Sequence, residues 1–340
     1  MYFSSENFDG THPRIMEALL KCNNGFAPSY GKDNLTLETI GLFKTFFGKA
    51  NTDVYFCFNG TGANNFALGA ITSRHHSVFC SEVSHLYMAE STAPETFTGC
   101  RLYSVRAENG KIILDDLMSK MIRLGDVHHP QPGVLSITQP TEYGTVYSIP
   151  ELKAISEFCK KNNMLLHIDG ARLFNALASL DCTPLEFVEA SGVDVLTLGG
   201  TKSGMMFGEA VIFFNPHRFE NLKYEHKRSM QLASKNRYIA AQFHELLRNG
   251  LWKEIAAHTN GLAKAFESAL CQIGPSLIAA PVETNMVFMK IALSDFEKLK
   301  PFAQFYMWDS QSEEARFVFS FSNEVNEIND FIERFKNRSE

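Results

Sequence analysis

Residues 164–176, Met-Leu-Leu-His-Ile-Asp-Gly-Ala-Arg-Leu-Phe-Asn-Ala, together with Lys202 constrain this chain more than any other feature. Met164 to Ile168 is an apolar run of strand length, and Gly170 interrupts it just before a helical pattern begins. Asp169 therefore falls at the carboxyl end of a strand, where open α/β sheets bind their ligands. The next apolar run, Val193 to Gly199, ends in Gly200-Thr-Lys202. A carboxylate and a lysine at the ends of two strands, 33 residues apart, meet the requirements of pyridoxal phosphate. The carboxylate holds a proton on the pyridine nitrogen, and the amine forms a Schiff base with the aldehyde.

Two turns earlier in the chain support that reading. Asp53 to Phe58 reads as a buried strand, and Asn59-Gly-Thr-Gly-Ala-Asn64 leads from it into a helix over 66–72. Small residues at a strand-to-helix turn let backbone N–H groups approach a phosphate, and the helix dipole favours its charge. The turn lacks the Gly-Lys-Ser/Thr of a Walker loop and the dinucleotide fingerprint. Gly-Thr-Gly by itself marks no more than a tight turn; beside Asp169 and Lys202 it makes Gly60, Thr61 and Gly62 the phosphate candidates. After a strand over 76–82, Ser84 and His85 open another helix, where an imidazole can stack on the flat face of a pyridine ring.

Strands and helices alternate through Phe214, the pattern of a largely parallel sheet covered on both sides. Two long helical patterns follow, Lys227 to Arg248 and Leu251 to Gln272. Glu283 to Lys290 and Ala315 to Phe321 then alternate in strand fashion with helices between and after them. The expected division is an arm over 1–15, a large domain over 16–248 and a small α+β domain over 249–340. No internal repeat or low-complexity tract interrupts it.

His-Ile-Asp-Gly-Ala-Arg-Leu-Phe-Asn-Ala at 167–176, followed by Thr-Leu-Gly-Gly-Thr-Lys at 197–202, resembles the threonine aldolases. These belong to the threonine aldolase/β-eliminating lyase family of pyridoxal-phosphate enzymes, and the resemblance runs from Ser5 to about Ser320. It implies an α/β fold of type I: a large domain with a mostly parallel seven-stranded sheet and a small C-terminal α+β domain. Lys202 would carry the cofactor, Asp169 would pair with its ring nitrogen, and His85 would stack on the ring. By its spacing from the next strand, His128 matches an active-site histidine of the family. His85 and His128 are the two candidates for the catalytic base, since imidazole titrates near neutrality. Ser5 matches a serine that holds the substrate carboxylate, although Glu6 stands beside it where the family usually has Asp. Arg316 matches the arginine that clamps this carboxylate, a task suited to a planar guanidinium, with Arg172 as a helper beside the cofactor. Lys235 lies in a segment that the family uses at subunit contacts near the phosphate. The implied assembly is a homotetramer, a dimer of dimers. The implied reaction is retro-aldol cleavage of threonine, allo-threonine or a related β-hydroxy-α-amino acid to glycine and an aldehyde.

Composition narrows the alternatives. A net charge of −6 and a pI near 6.0 give no electrostatic reason to expect a nucleic acid or an anionic membrane as partner. Seven scattered cysteines without a C-x-x-C pair argue against a disulfide framework or a zinc ribbon, and no metal is expected. The opening residues lack a signal-peptide pattern and no apolar run is long enough to span a bilayer, so the expected location is cytoplasmic. Phe is plentiful at 29 residues, which points to extensive aromatic burial. Within the family the alternative activity is β-elimination on another amino acid, but those lyases are much longer chains. A non-catalytic binding protein of the same fold would have no need of both Lys202 and Asp169. A nicotinamide oxidoreductase would need the dinucleotide fingerprint that is missing.

Overall fold

Val195–Gly199 and Glu209–Phe214 are buried at every position, as strands covered by helices on both faces must be. A computed structural model, which describes residues 1–338, sets them in the middle of a seven-stranded sheet. Its strands are β1 (Thr52–Cys57), β2 (His76–Ser81), β3 (Arg101–Val105), β6 (Gln131–Thr138), β7 (Leu165–Gly170), β8 (Val195–Gly199) and β9 (Glu209–Phe214). A short hairpin of β4 (Ala107–Glu108) and β5 (Lys111–Ile112) stands apart from it. The spatial order is β1-β9-β8-β7-β6-β2-β3. Only β9 runs against its neighbours; the other adjacent pairs are parallel. The mostly parallel sheet expected from the alternating pattern is therefore present.

Alternation along each strand divides the apolar side chains between two faces. On β9, Val211 and Phe213 join the cluster built around Phe66, whereas Ala210, Ile212 and Phe214 join the larger one built around Phe43 and Phe243. The second sheet, β10 (Met286–Lys290), β11 (Tyr306–Asp309) and β12 (Glu314–Val318), is antiparallel in the order β10-β12-β11. It supports a core of its own rich in phenylalanine, in which the rings of Phe305 and Phe317 stack at 4.4 Å. The helix Leu251–Ile273 serves both cores: Ile255 and Ala256 face the large one, and Leu262, Phe266 and Leu270 the small one. The N-terminal arm is sewn to the small sheet as well. Phe3 donates its N–H to Gln304 at 2.7 Å and accepts from the Val318 N–H at 2.8 Å.

One element departs from the sequence pattern. The single helix expected over 227–248 is two, Leu222–Arg228 and Arg237–Arg248. Helical continuity loses here to a tertiary demand. Met230 takes φ 63°, and the chain turns inward so that the side-chain amide oxygen of Gln231 accepts the Phe58 N–H at 2.9 Å. From within the first of these helices, the His226 ring nitrogen Nε2 lies 2.9 Å from the Phe56 carbonyl. The Gln231 contact satisfies a main-chain group just after β1, where the chain must leave the helix to reach it.

Candidate active site

The carboxyl ends of β1, β2, β6, β7 and β8 and the first residue of β9 open onto one cavity of about 690 Å³. Asp169 lies on its floor, in register between Thr138 of β6 and Thr197 of β8. It is only 7 % exposed, and its position is fixed at both oxygens. One accepts the Ala171 N–H and the other accepts from the Asn64 side chain, each at 2.9 Å. The same Asn64 nitrogen lies 2.9 Å from Glu90, which in turn holds His85 Nδ1 at 2.9 Å. The bond to Glu90 outweighs burial and raises the His85 pKa, so this imidazole keeps its proton further toward neutrality.

Lys202 sits in a single 3₁₀ turn, Thr201–Ser203, that follows β8, and its side chain is half-buried at the cavity wall. The positive charge of Arg172 and burial lower its pKa, against the opposing pull of Glu6, Asp169 and Glu209. Glu209, buried at the start of β9, accepts the Gly200 N–H at 2.7 Å, and burial pushes its carboxyl up to about 7.

The Gly-Thr-Gly turn is itself the first turn of a helix, Gly60–Ile71. Asn59 caps it by accepting the Gly62 N–H at 2.8 Å. Gly60 and Thr61 line the cavity, and no atom lies within 4 Å of where a Cβ on Gly60 would point. Gly62 faces the other way, pressed against Gln231: a Cβ there would lie 2.2 Å from the amide nitrogen. Its glycine keeps this contact possible and does not line the cavity.

Arg172 and Glu6 form a buried ion pair, with two hydrogen bonds of 2.6 and 2.8 Å. Burial works against the Glu6 carboxylate, but Arg172, then Lys202 and Asn285, outweigh it and hold its pKa at about 2. Arg172 thus enters the site with its charge already matched. Arg316, on β12, does not. Its guanidinium lies 4.9 Å from the Trp308 ring centre and 5.6 Å from that of Tyr306, and burial lowers its pKa to about 10. Ser5 lines the cavity while capping a short 3₁₀ turn, its hydroxyl accepting the Asn7 N–H at 3.2 Å.

Lys202, His85, Asp169, Arg172, Arg316, Ser5, Gly60 and Thr61 are thus brought to one cavity. His128 is not. It is exposed in the loop before β6, at the amino end of a strand whose carboxyl end carries the site, and its N–H is spent on Asp126 at 2.9 Å. Spacing identifies the segment before the strand and does not bring this side chain to the cavity within one subunit. Lys235 lines a neighbouring groove of about 550 Å³ that shares the walls Phe58 and Phe207 with the cavity. Sequence reasoning missed Asn64, Glu142, Glu209 and Trp308 in the cavity lining. Glu142 had a signal, a lone carboxylate in the loop after β6; Asn64 and Trp308 had none.

Pyridoxal phosphate fits what these residues offer. Three buried polar atoms of cavity-lining residues lack partners among the described residues: Asn64 Oδ1, Glu142 Oε2 and Arg316 Nε. Open space lies beside the capped helix end at Gly60, where a phosphate would meet main-chain N–H groups. Asp169 and Lys202 supply the anion and the amine.

Comparison with known proteins agrees with this chemistry. The model of the beta-eliminating lyase family matches residues 3–294. The low specificity L-threonine aldolase of Pseudomonas sp. (strain NCIMB 10558) is 40 % identical over 323 residues, 95 % of this chain and 93 % of its own length. That of Pseudomonas aeruginosa is 38 % identical, covering 96 % and 94 %. The solved structure of Leishmania major threonine aldolase is 27 % identical and superposes with a TM-score of 0.94, over 100 % of this chain and 99 % of that one. The chain therefore belongs to the beta-eliminating lyase family of pyridoxal-phosphate enzymes, among the relatives of the threonine aldolases.

Proposed function

We propose that this protein is a carbon–carbon lyase that cleaves L-threonine, allo-threonine and related β-hydroxy-α-amino acids to glycine and an aldehyde. The observation that carries this reading is the convergence of Lys202, Asp169 and an unpaired Arg316 on one cavity. The names of the 40 % and 38 % identical relatives support the substrate class.

When bound, pyridoxal phosphate supplies an aldehyde for the substrate amine and a ring that takes up the electron pair released at Cα. Lys202, whose pKa is lowered by the charge of Arg172 and by burial, would carry the covalent attachment. Asp169, anchored by Asn64 and Ala171, would hold a proton on the ring nitrogen, and His85 would stack on the ring. Gly60 and Thr61 would hold the phosphate, with Gly62 keeping the turn tight against Gln231. Arg316 would take the substrate carboxylate with help from Ser5, beside Arg172 in its ion pair with Glu6. Phe58, Phe207 and Trp308 wall the space and limit water.

The same reading keeps the arm (1–15), the large cofactor-binding part (16–248) and the small part (249–340) as separate units around one site. It also takes the molecule to be a cytoplasmic homotetramer in which Lys235 reaches the phosphate of a neighbouring subunit. Support comes from the groove beside Lys235, where Leu20 is 69 % and Met206 47 % exposed. The test is direct: the purified protein, loaded with cofactor, should release glycine and acetaldehyde from L-threonine in equal amounts. Release of 2-oxobutyrate and ammonia instead would favour β-elimination.

A further inference from the structure

We propose that Glu142 is the catalytic base, the group that takes the β-hydroxyl proton as the carbon–carbon bond opens. The inference rests on the aldolase reading above and names a residue where the sequence had left two histidines.

The other titratable groups are placed differently. His128 is not among the residues that line the cavity, and His85, with Nδ1 on Glu90, has its ring assigned to stacking in the reading above. Glu209 has one oxygen on the Gly200 N–H beside the lysine turn. Glu142 has one oxygen fixed and one free. Oε1 accepts the main-chain N–H of His85 at 2.9 Å and the Thr138 hydroxyl at 2.8 Å. Oε2 is shielded from solvent and has no partner among the described residues, although Glu142 lines the cavity. A buried carboxylate oxygen without a donor is costly, and a substrate hydroxyl pointing at it would supply the missing bond.

The surroundings strengthen Glu142 as a base. Facing Glu142 are Asp169 from β7, Arg172 at the start of the next helix, Cys80 in β2 and Tyr147 beyond its own loop, with Glu90 behind His85. Burial raises the Glu142 pKa, with Asp169 adding to it, against the hydrogen bonds from His85 and Thr138. A carboxylate whose pKa is raised is a stronger base than an ordinary one. In the step, the O–H bond breaks and its proton passes to Glu142 Oε2. The O–H electron pair becomes the second bond of the aldehyde carbonyl as the Cα–Cβ bond breaks, and the pair left at Cα, which bound pyridoxal phosphate would stabilise, takes a proton from solvent to complete glycine. After the aldehyde leaves, Glu142 gives its proton back to solvent.

The test compares Glu142→Gln with wild type in two reactions and two measurements that are not turnover. Glutamine keeps an acceptor for His85 and Thr138, so the loop should hold. Threonine cleavage should fall by at least about a hundredfold, the typical contribution of a general base. Exchange of the glycine α-proton with deuterated water, which involves no β-hydroxyl, should be unchanged. Cofactor affinity, measured by fluorescence titration, should also be unchanged. Infrared spectra should show a carboxyl band in wild type that titrates above the ordinary glutamate range and is missing from Glu142→Gln. Glu142→Asp should recover part of the cleavage rate. A loss of cleavage smaller than about tenfold, or equal losses of cleavage and exchange, would overturn the proposal. If wild type itself fails to cleave threonine, the aldolase reading has failed instead.

Discussion

Glu6 in the N-terminal arm and Arg172 at the end of the β7 loop are joined by two hydrogen bonds, 2.6 and 2.8 Å long, although 166 residues separate them. The pair is buried, and it ties the arm to the floor of the active site. Removing one partner strands the other charge, so Glu6→Ala should destabilise the protein by about 3–5 kcal/mol in chemical denaturation.

Acid should act through the same pair. The Glu6 carboxyl sits at about 2, against 4.5 in its ordinary state. A depressed carboxyl stabilises the fold above its unfolded pKa, and that stability is lost as pH falls through the folded value. The loss should therefore run from about pH 4.5 down to about 2 and amount to roughly 3 kcal/mol. Glu6→Gln should flatten the stability profile in this window. An unchanged profile would mean that other carboxylates dominate acid unfolding.

Arg316→Lys should raise the KM for threonine by about ten- to a hundredfold, the expected cost of losing a charge-assisted fork to a carboxylate. Cofactor affinity should not change, because the guanidinium meets Trp308 and Tyr306 and none of the phosphate turn. Equal losses of cofactor and substrate affinity would place Arg316 in a structural role.

Asp169→Ala should slow cleavage by orders of magnitude and weaken cofactor binding, and Asp169→Glu should retain more activity. Asn64→Leu should reproduce part of the defect, since it removes the donor at 2.9 Å that orients the carboxylate. The checks are steady-state kinetics and cofactor titration. Near-normal rates in Asp169→Ala would remove the basis of the cofactor assignment.

Sequence made most of this fold legible where local pattern and tertiary outcome agree. The strands ending at Asp169 and Gly199 are apolar runs bounded by glycine, and they are found as expected. Legibility ended where distant segments decide. Nothing local in Ser229 to Asn236 signals a break between helices, because its cause is the Phe58 N–H reaching Gln231 from 173 residues away. His128 stands at the amino end of β6, away from the cavity of its own subunit, because spacing gives proximity to a strand in sequence and not which end of it faces the site. Glu142 was passed over for the opposite reason, standing at the correct end in a residue type less conspicuous than histidine. Asn64 and Trp308 are ordinary residues whose roles arise only from what surrounds them.

Lys235 tests the shared-site arrangement. Lys202→Ala and Lys235→Ala subunits, inactive or weakened alone, should regain part of the activity when mixed and reassociated. Each hybrid can then hold one site with an intact Lys202 and a neighbour's intact Lys235. Sedimentation of an active monomer at assay concentration would contradict the assembly; failed recovery would contradict only the role of Lys235.

Borohydride reduction of the cofactor-loaded protein, followed by peptide mass spectrometry, tests the central claim most directly. The pyridoxyl mass should be found on the peptide carrying Lys202, and Lys202→Ala should be folded, unlabelled and unable to release glycine from threonine. Label on another lysine, or labelled and active Lys202→Ala protein, would contradict the account.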